Sequence, residues 1–151
     1  MANNKRGRKN NNFNRIENTR EERKGSTIKD LLTFSFKDLD SSQPKKDPQS
    51  IESWMNDNLL KPLVERLRDL SKLTRYEATM QKQIKIYGNF PPPDKTDFTP
   101  PSYVDEHVAW GVIKAVGGQK GTVAGYVIES TFYIVFFDKD HKFWISPKKG
   151  T

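Results

Sequence analysis

Residues 131–146, TFYIVFFDKDHKFWIS, constrain the fold of this chain more than any other stretch. Residues 132–137 and 143–145 are aromatic or β-branched throughout, and Asp138, Lys139, Asp140 and His141 separate them. Such side chains suit a pleated, half-buried surface, so two runs around a polar tetrapeptide predict a β-hairpin. On this reading the hairpin carries the core and puts His141 and two carboxylates at its tip.

The apolar residues are unevenly spread. Residues 1–30 hold few beyond Phe13, Ile16 and Ile28. Of the net charge of +7, residues 1–30 carry +5, from nine Lys/Arg against four Asp/Glu. Residues 1–30 are therefore expected to form a disordered basic tail, and residues 31–147 a single domain, with 148–151 as a C-terminal tail. A flexible cationic arm supplies non-specific, salt-sensitive affinity for polyanions, or merely solubilises the chain. Zero cysteines exclude disulfides and cysteine-ligated zinc or iron–sulfur sites. No apolar run approaches the ~20 residues that span a bilayer. The basic N-terminus is not followed by a hydrophobic stretch, so it does not read as a secretory signal. The expectation is a cytoplasmic protein with no membrane partner.

Within the domain, Leu32, Phe34 and Phe36 alternate with polar residues and predict a first strand over 31–39. Asp47 and Pro48 fit a helix N-cap and first position. Ile51, Met55, Leu59, Leu63, Leu67 and Leu70 recur at helical spacing, with Pro62 expected to kink the helix or divide it into two. Thr74 and Glu77 match a capping box, and Tyr76, Met80, Ile84 and Tyr87 extend a second helix to Gly88. Residues 89–102 contain five prolines and read as an extended strap pinned by Phe90 and Phe98. Residues 108–113 alternate as a strand, although Ser102 and Asp105 also allow a helix over 103–116. The glycines of residues 117–121 form a turn, residues 122–129 a further strand, and Gly125 a bulge or close approach. The expected class is α+β: two or three helices on one antiparallel sheet, in the order β-α-α-β-β-β.

Several residues could carry chemistry. An imidazole can give or take a proton near neutral pH, so His141 could serve as acid or base in metal-independent RNA cleavage. Lys142, with Lys139, Lys148 and Lys149, would neutralise the phosphate, and Tyr133 or Tyr126 would stack a base or orient the 2′-hydroxyl. Against this, the tyrosines read equally as core and the lysines as the guard of a sheet margin. His141, Asp138 and Asp140 lack converging ligands from other elements, since His107 is the one other histidine, so neither a metal nor a cofactor is expected. Trp54, Trp110 and Trp144 could stack single-stranded nucleic acid, though their positions favour core packing. Lys5, Arg6, Arg8, Lys9 and Arg15 suit phosphate contacts to RNA or DNA.

The FSFK strand (residues 34–37), the helix end Leu63, Arg66, Leu67, Leu70, Ser71, and the closing block GYVI-x-x-TFYIVFFDKDHKFW resemble a group of small bacterial and mobile-element proteins. That resemblance covers residues 33–144 and implies no activity. The element order is also similar to that of RelE/ParE-type toxins of toxin–antitoxin pairs, whose RelE-like members cleave messenger RNA on the ribosome. The strap and the acidic Asp138 and Asp140 depart from that pattern, because carboxylates repel a phosphate. Function is thus expected to be nucleic-acid association, with RelE-like cleavage as its enzymatic form. The contrasting expectation is a non-catalytic module that binds a protein partner.

Overall fold

The alternation over residues 31–39 yields strand only at Thr33–Ser35 (β1), because the chain turns at Phe36, whose carbonyl accepts from Leu39 N–H at 3.1 Å. The computed structural model describes residues 30–146. After β1 come helices α1 (Ile51–Asn56), α2 (Leu60–Leu70) and α3 (Arg75–Met80), then strands β2 (Ile84–Gly88), β3 (Ala109–Ile113), β4 (Thr122–Ile128) and β5 (Thr131–Asp138). The strands form one sheet in the order β1-β5-β4-β3-β2. All neighbours are antiparallel except β1, which runs parallel to β5. The class is α+β, with three helices packed on a mostly antiparallel sheet of five strands.

Four local expectations need correction. First, the aromatic hairpin has a different partner. β5 pairs with β4 across the two-residue turn Glu129-Ser130, with Glu129 at φ 54°, and residues 143–145 form no strand. Second, α1 begins after Ser50, not Asp47. Ser50 and Ser53 cap one another reciprocally, which satisfies amide groups that a helix start leaves open.

Third, the ridge over residues 51–70 breaks at residues 57–59, where Asn58 takes a left-handed φ of 58°. Pro62 sits in the first turn of α2, where its missing N–H costs nothing. The break rotates α1, so Trp54 is buried while Ile51 and Met55 face solvent. Fourth, α3 keeps the Thr74–Glu77 capping box but stops at Met80. Lys82 turns the chain at φ 58°, and Ile84 and Tyr87 belong to β2. Residues 84–87 also alternate apolar with lysine and tyrosine, and sheet pairing with β3 decides between the two periods.

Both faces of the sheet are covered. On one side Trp54, Leu63, Leu70 and Ala78 of the helices meet Ile84, Ile113, Val123, Phe132, Ile134 and Phe137 of the strands. Trp54 stacks on Phe137 with centroids 4.3 Å apart. On the other side the Pro-rich segment and the return after β5 cover Trp110, Val112, Ala124, Tyr126, Val135 and Phe136. Phe90 meets Trp110 and Phe143 edge-on at 4.9 and 5.2 Å, and Phe98 is buried beside Phe136. Each such aromatic contributes about 1.5–3 kcal/mol by burial. That is enough to hold a strap that has no strand hydrogen bonding of its own. Residues 109–113 are strand, not helix.

Candidate functional site

The turn after β5 is organised by Asp138. Its carboxylate accepts from the backbone N–H groups of Lys142 and Phe143 at 2.8 Å each and from the Thr122 hydroxyl at 3.1 Å. Burial pushes the Asp138 carboxyl up from its ordinary value, and the three donors oppose this without cancelling it. The carboxylate folds the chain back so that Phe143 enters the strap-side core. Lys139 is drawn the other way. Its Nζ pairs with Asp57 at 3.1 Å and Asp47 at 3.8 Å, and its N–H donates to Gln49, which also receives Trp54 Nε1. The Asp57 hydrogen bond raises the Lys139 ammonium above its usual value. The expected hairpin tip is therefore a packed corner. His141 stands at its rim at φ 59°, followed by Lys142.

Tyr133 lies elsewhere. Asp138 lies five residues further along β5, roughly 16 Å away. It stacks on Tyr126 with centroids 4.7 Å apart, and Lys37 Nζ sits 5.4 Å above its ring. The Tyr126 hydroxyl donates to Asp38, whose backbone carbonyl accepts from Tyr103 at 2.9 Å. Burial, then the Asp38 bond, raise the Tyr126 hydroxyl above its ordinary value. Burial acts to raise Asp38, but hydrogen bonds from Tyr126 and Lys37 prevail and lower it. This cluster ties the loop after β1 to the sheet. The structure thus does not bring Tyr133 together with His141 and Lys142. Lys5, Arg6, Arg8, Lys9, Arg15, Lys148 and Lys149 lie outside the described residues.

A different site forms at the free edge of β2. A groove of about 410 Å³ is lined by Thr79 and Lys82 from the end of α3, Ile84, Lys85 and Ile86 of β2, and Lys114 after β3. None of its lining residues is a carboxylate. Among the described residues Lys82, Lys85 and Lys114 enter no ion pair, as is also true of Lys45, Lys46, Lys95, Lys120 and Lys142; what sets the three apart is that they line one groove. Arg66 of α2 fixes the wall. Its Nε donates to the Lys114 carbonyl and its Nη1 to Gln83 Oε1, each at 2.8 Å. Burial lowers its guanidinium from the ordinary value.

The backbone of β2 completes the groove. Lys114 N–H donates to the Gln83 carbonyl at 3.0 Å, which makes residues 83 and 114 a hydrogen-bonded pair. Antiparallel alternation then turns the N–H and C=O of Ile84 and Ile86 toward the free edge. Beyond the groove, Tyr87 stacks on half-buried Trp144 with centroids 4.3 Å apart, and Lys85 Nζ lies 4.9 Å above the Tyr87 ring. Trp54 and Trp110 are buried, so they offer no stacking surface. The helical reading of residues 84–87 hid this site; the alternation Ile84-Lys85-Ile86-Tyr87 was the signal for it.

Among the described residues no group of three or more His, Asp or Glu could hold a metal ion, and no helix is long and apolar enough to cross a membrane. Comparison with known protein families, curated proteins and solved structures finds no match to this chain.

Proposed function

We propose that this chain is a small cytoplasmic nucleic-acid-binding protein whose domain holds phosphates at the β2 edge. The observation that carries this reading is the groove of Lys82, Lys85 and Lys114, three lysines without a lining carboxylate. Lysines that only guard a strand edge need no concavity, whereas here Thr79 of α3 lines the groove beside them and Arg66 anchors the backbone of Lys114 and the side chain of Gln83. The proposal is for binding without a cleavage step, because Tyr133, His141 and Lys142 do not face a common point.

The test is a fluorescence-polarisation titration of the full chain against a short labelled oligonucleotide at several salt concentrations. Replacing all three groove lysines by glutamine should weaken binding. It should also lower the log–log salt slope by about 2 for a single strand, at roughly 0.7 per phosphate contact. Neutralising Lys5, Arg6, Arg8 and Lys9 in a separate variant measures what the basic N-terminal segment adds. If the groove variant matches wild type in affinity and slope, the proposal fails.

A further inference from the structure

We infer that the groove takes single-stranded nucleic acid and contacts its bases as well as its phosphates, an inference that rests on the phosphate-binding reading above. A duplex turns its phosphates outward and keeps its base planes stacked inside. The protein that reads it inserts a helix or ribbon into a groove of the duplex. The β2 edge has the opposite shape: it is a cleft that receives. Its floor is the β2 backbone with the half-buried Ile86 side chain, apolar surface that a phosphate does not use but a base plane does; Ile84 itself is buried in the core. Along the same edge the outward N–H and C=O of Ile84 and Ile86 offer a donor and an acceptor side by side. An unpaired base presents the same alternation on its Watson–Crick edge.

The aromatic pair extends the same surface. Lys85 lines the groove and also covers one face of Tyr87, whose other face stacks on half-buried Trp144, so a strand that crosses β2 leaves the lysines onto this pair and would meet it at the Trp144 ring. Cationic groups along the backbone path with aromatic faces beside them are the elements by which single strands are held with little sequence preference. The lysines would serve a duplex equally, but an aromatic face has no use for bases already stacked inside one. An acidic peptide added as a further strand would use the backbone and the lysines but not the aromatic pair.

The experiment uses the full chain and four probes of equal length: a mixed-sequence single strand (as RNA and as DNA), the blunt duplex of that sequence, an abasic phosphodiester strand, and poly-glutamate. The single strand should bind about tenfold more tightly than the duplex or the abasic strand, the gain expected from one stacked base. Trp144→Leu should bring the single strand down to the abasic level while leaving the salt slope unchanged. Trp144→Phe, which keeps a ring in place, should retain most of the difference and guards against misfolding of the first variant. Equal affinity for the duplex or the abasic strand overturns the inference and leaves phosphate binding standing. Tighter binding of poly-glutamate than of any oligonucleotide reassigns the groove to an acidic protein. No binding to any probe removes the phosphate-binding reading itself, and this inference with it.

Discussion

Asp138 offers the sharpest test of how the fold holds its far corner. All three groups that meet its carboxylate are donors: two backbone N–H groups and the Thr122 hydroxyl. Asparagine has the same shape but only one acceptor oxygen, so it must turn an NH2 toward at least one N–H. Hydrogen bonds to a charged acceptor are worth about 1.5–3 kcal/mol each, and a buried donor left open costs about 1–3 kcal/mol. The neutral amide recovers part of this, because it avoids the burial of a charge. We expect Asp138→Asn to lose about 3 kcal/mol at neutral pH, and Asp138→Ala to lose at least as much. At about 4 °C per kcal/mol for a domain of this size, the thermal midpoint drops by about 12 °C.

The pH dependence gives an independent check on the same residue. The folded carboxyl binds its proton more tightly than the unfolded one at 3.8. The proton-linked part of its contribution is therefore greatest below 3.8 and is lost as pH rises through the folded value. The advantage of wild type over Asp138→Asn should thus be larger in acid than at neutral pH, where the hydrogen bonds to the ionised carboxylate remain. Asp38 and Asp40, whose carboxyls are lowered, act with the opposite sign: their contribution is present above 3.8 and is lost on acidification. Subtracting the urea-unfolding curve of Asp138→Asn from that of wild type, pH by pH, isolates the Asp138 contribution. An asparagine variant within about 0.5 kcal/mol of wild type at neutral pH would refute the donor argument.

Other consequences are as direct. A Cβ at Gly125 would lie 1.8 Å from the Tyr133 carbonyl oxygen, at the β4–β5 bulge, so Gly125→Ala should cost more than about 4 kcal/mol in chemical denaturation; a fully folded variant of wild-type stability would contradict the register. Tyr126→Phe removes the donor to Asp38 and should cost about 1.5–3 kcal/mol. Because the fold raises Tyr126 above the ordinary 10.0, wild type should also lose stability as pH rises past 10, where the unfolded chain releases this proton and the folded one keeps it. The phenylalanine variant should lose less over that range, as followed by circular dichroism.

What could be read from the sequence was whatever one local period decides. The class, the Thr74–Glu77 cap, the bulge at Gly125 and the anchoring of the strap by Phe90 and Phe98 all follow from spacing and residue type within a few positions. The errors arose where two periods fit the same residues or where a distant partner chose. Ile84 and Tyr87 satisfy both a helix step and a strand alternation, and only the pairing of Ile84 with Ile113 and of Gly88 with Trp110 separates them. Residues 143–145 have strand composition, but the Asp138 carboxylate folds them onto the sheet face before they can pair along its edge. The spacing of the candidate residues was hidden for the same reason. Tyr133 and His141 are eight positions apart, close in sequence, and an extended strand converts that closeness into distance.

The covering of the sheet explains where function can reside. Helices close one face and the strap closes the other, so residues pointing up or down from the strands are spent on packing. Among the described residues the two edges of the sheet remain. At β1 the edge is short, and Lys37, Asp38, Tyr103, Tyr126 and Tyr133 bind one another, which leaves their charges compensated. At β2 the strand is longer, its backbone is unpaired on one side, and its lysines have no counter-charge among the described residues. A protein that has neutralised one edge and left the other cationic and concave carries an electrostatic cost that an anionic ligand would relieve. If the lysines oppose one another in the free protein, the triple glutamine variant should be as stable as wild type or slightly more so, with the loss confined to binding. A variant that both unfolds more easily and binds normally would place those lysines in the structure and not in the function.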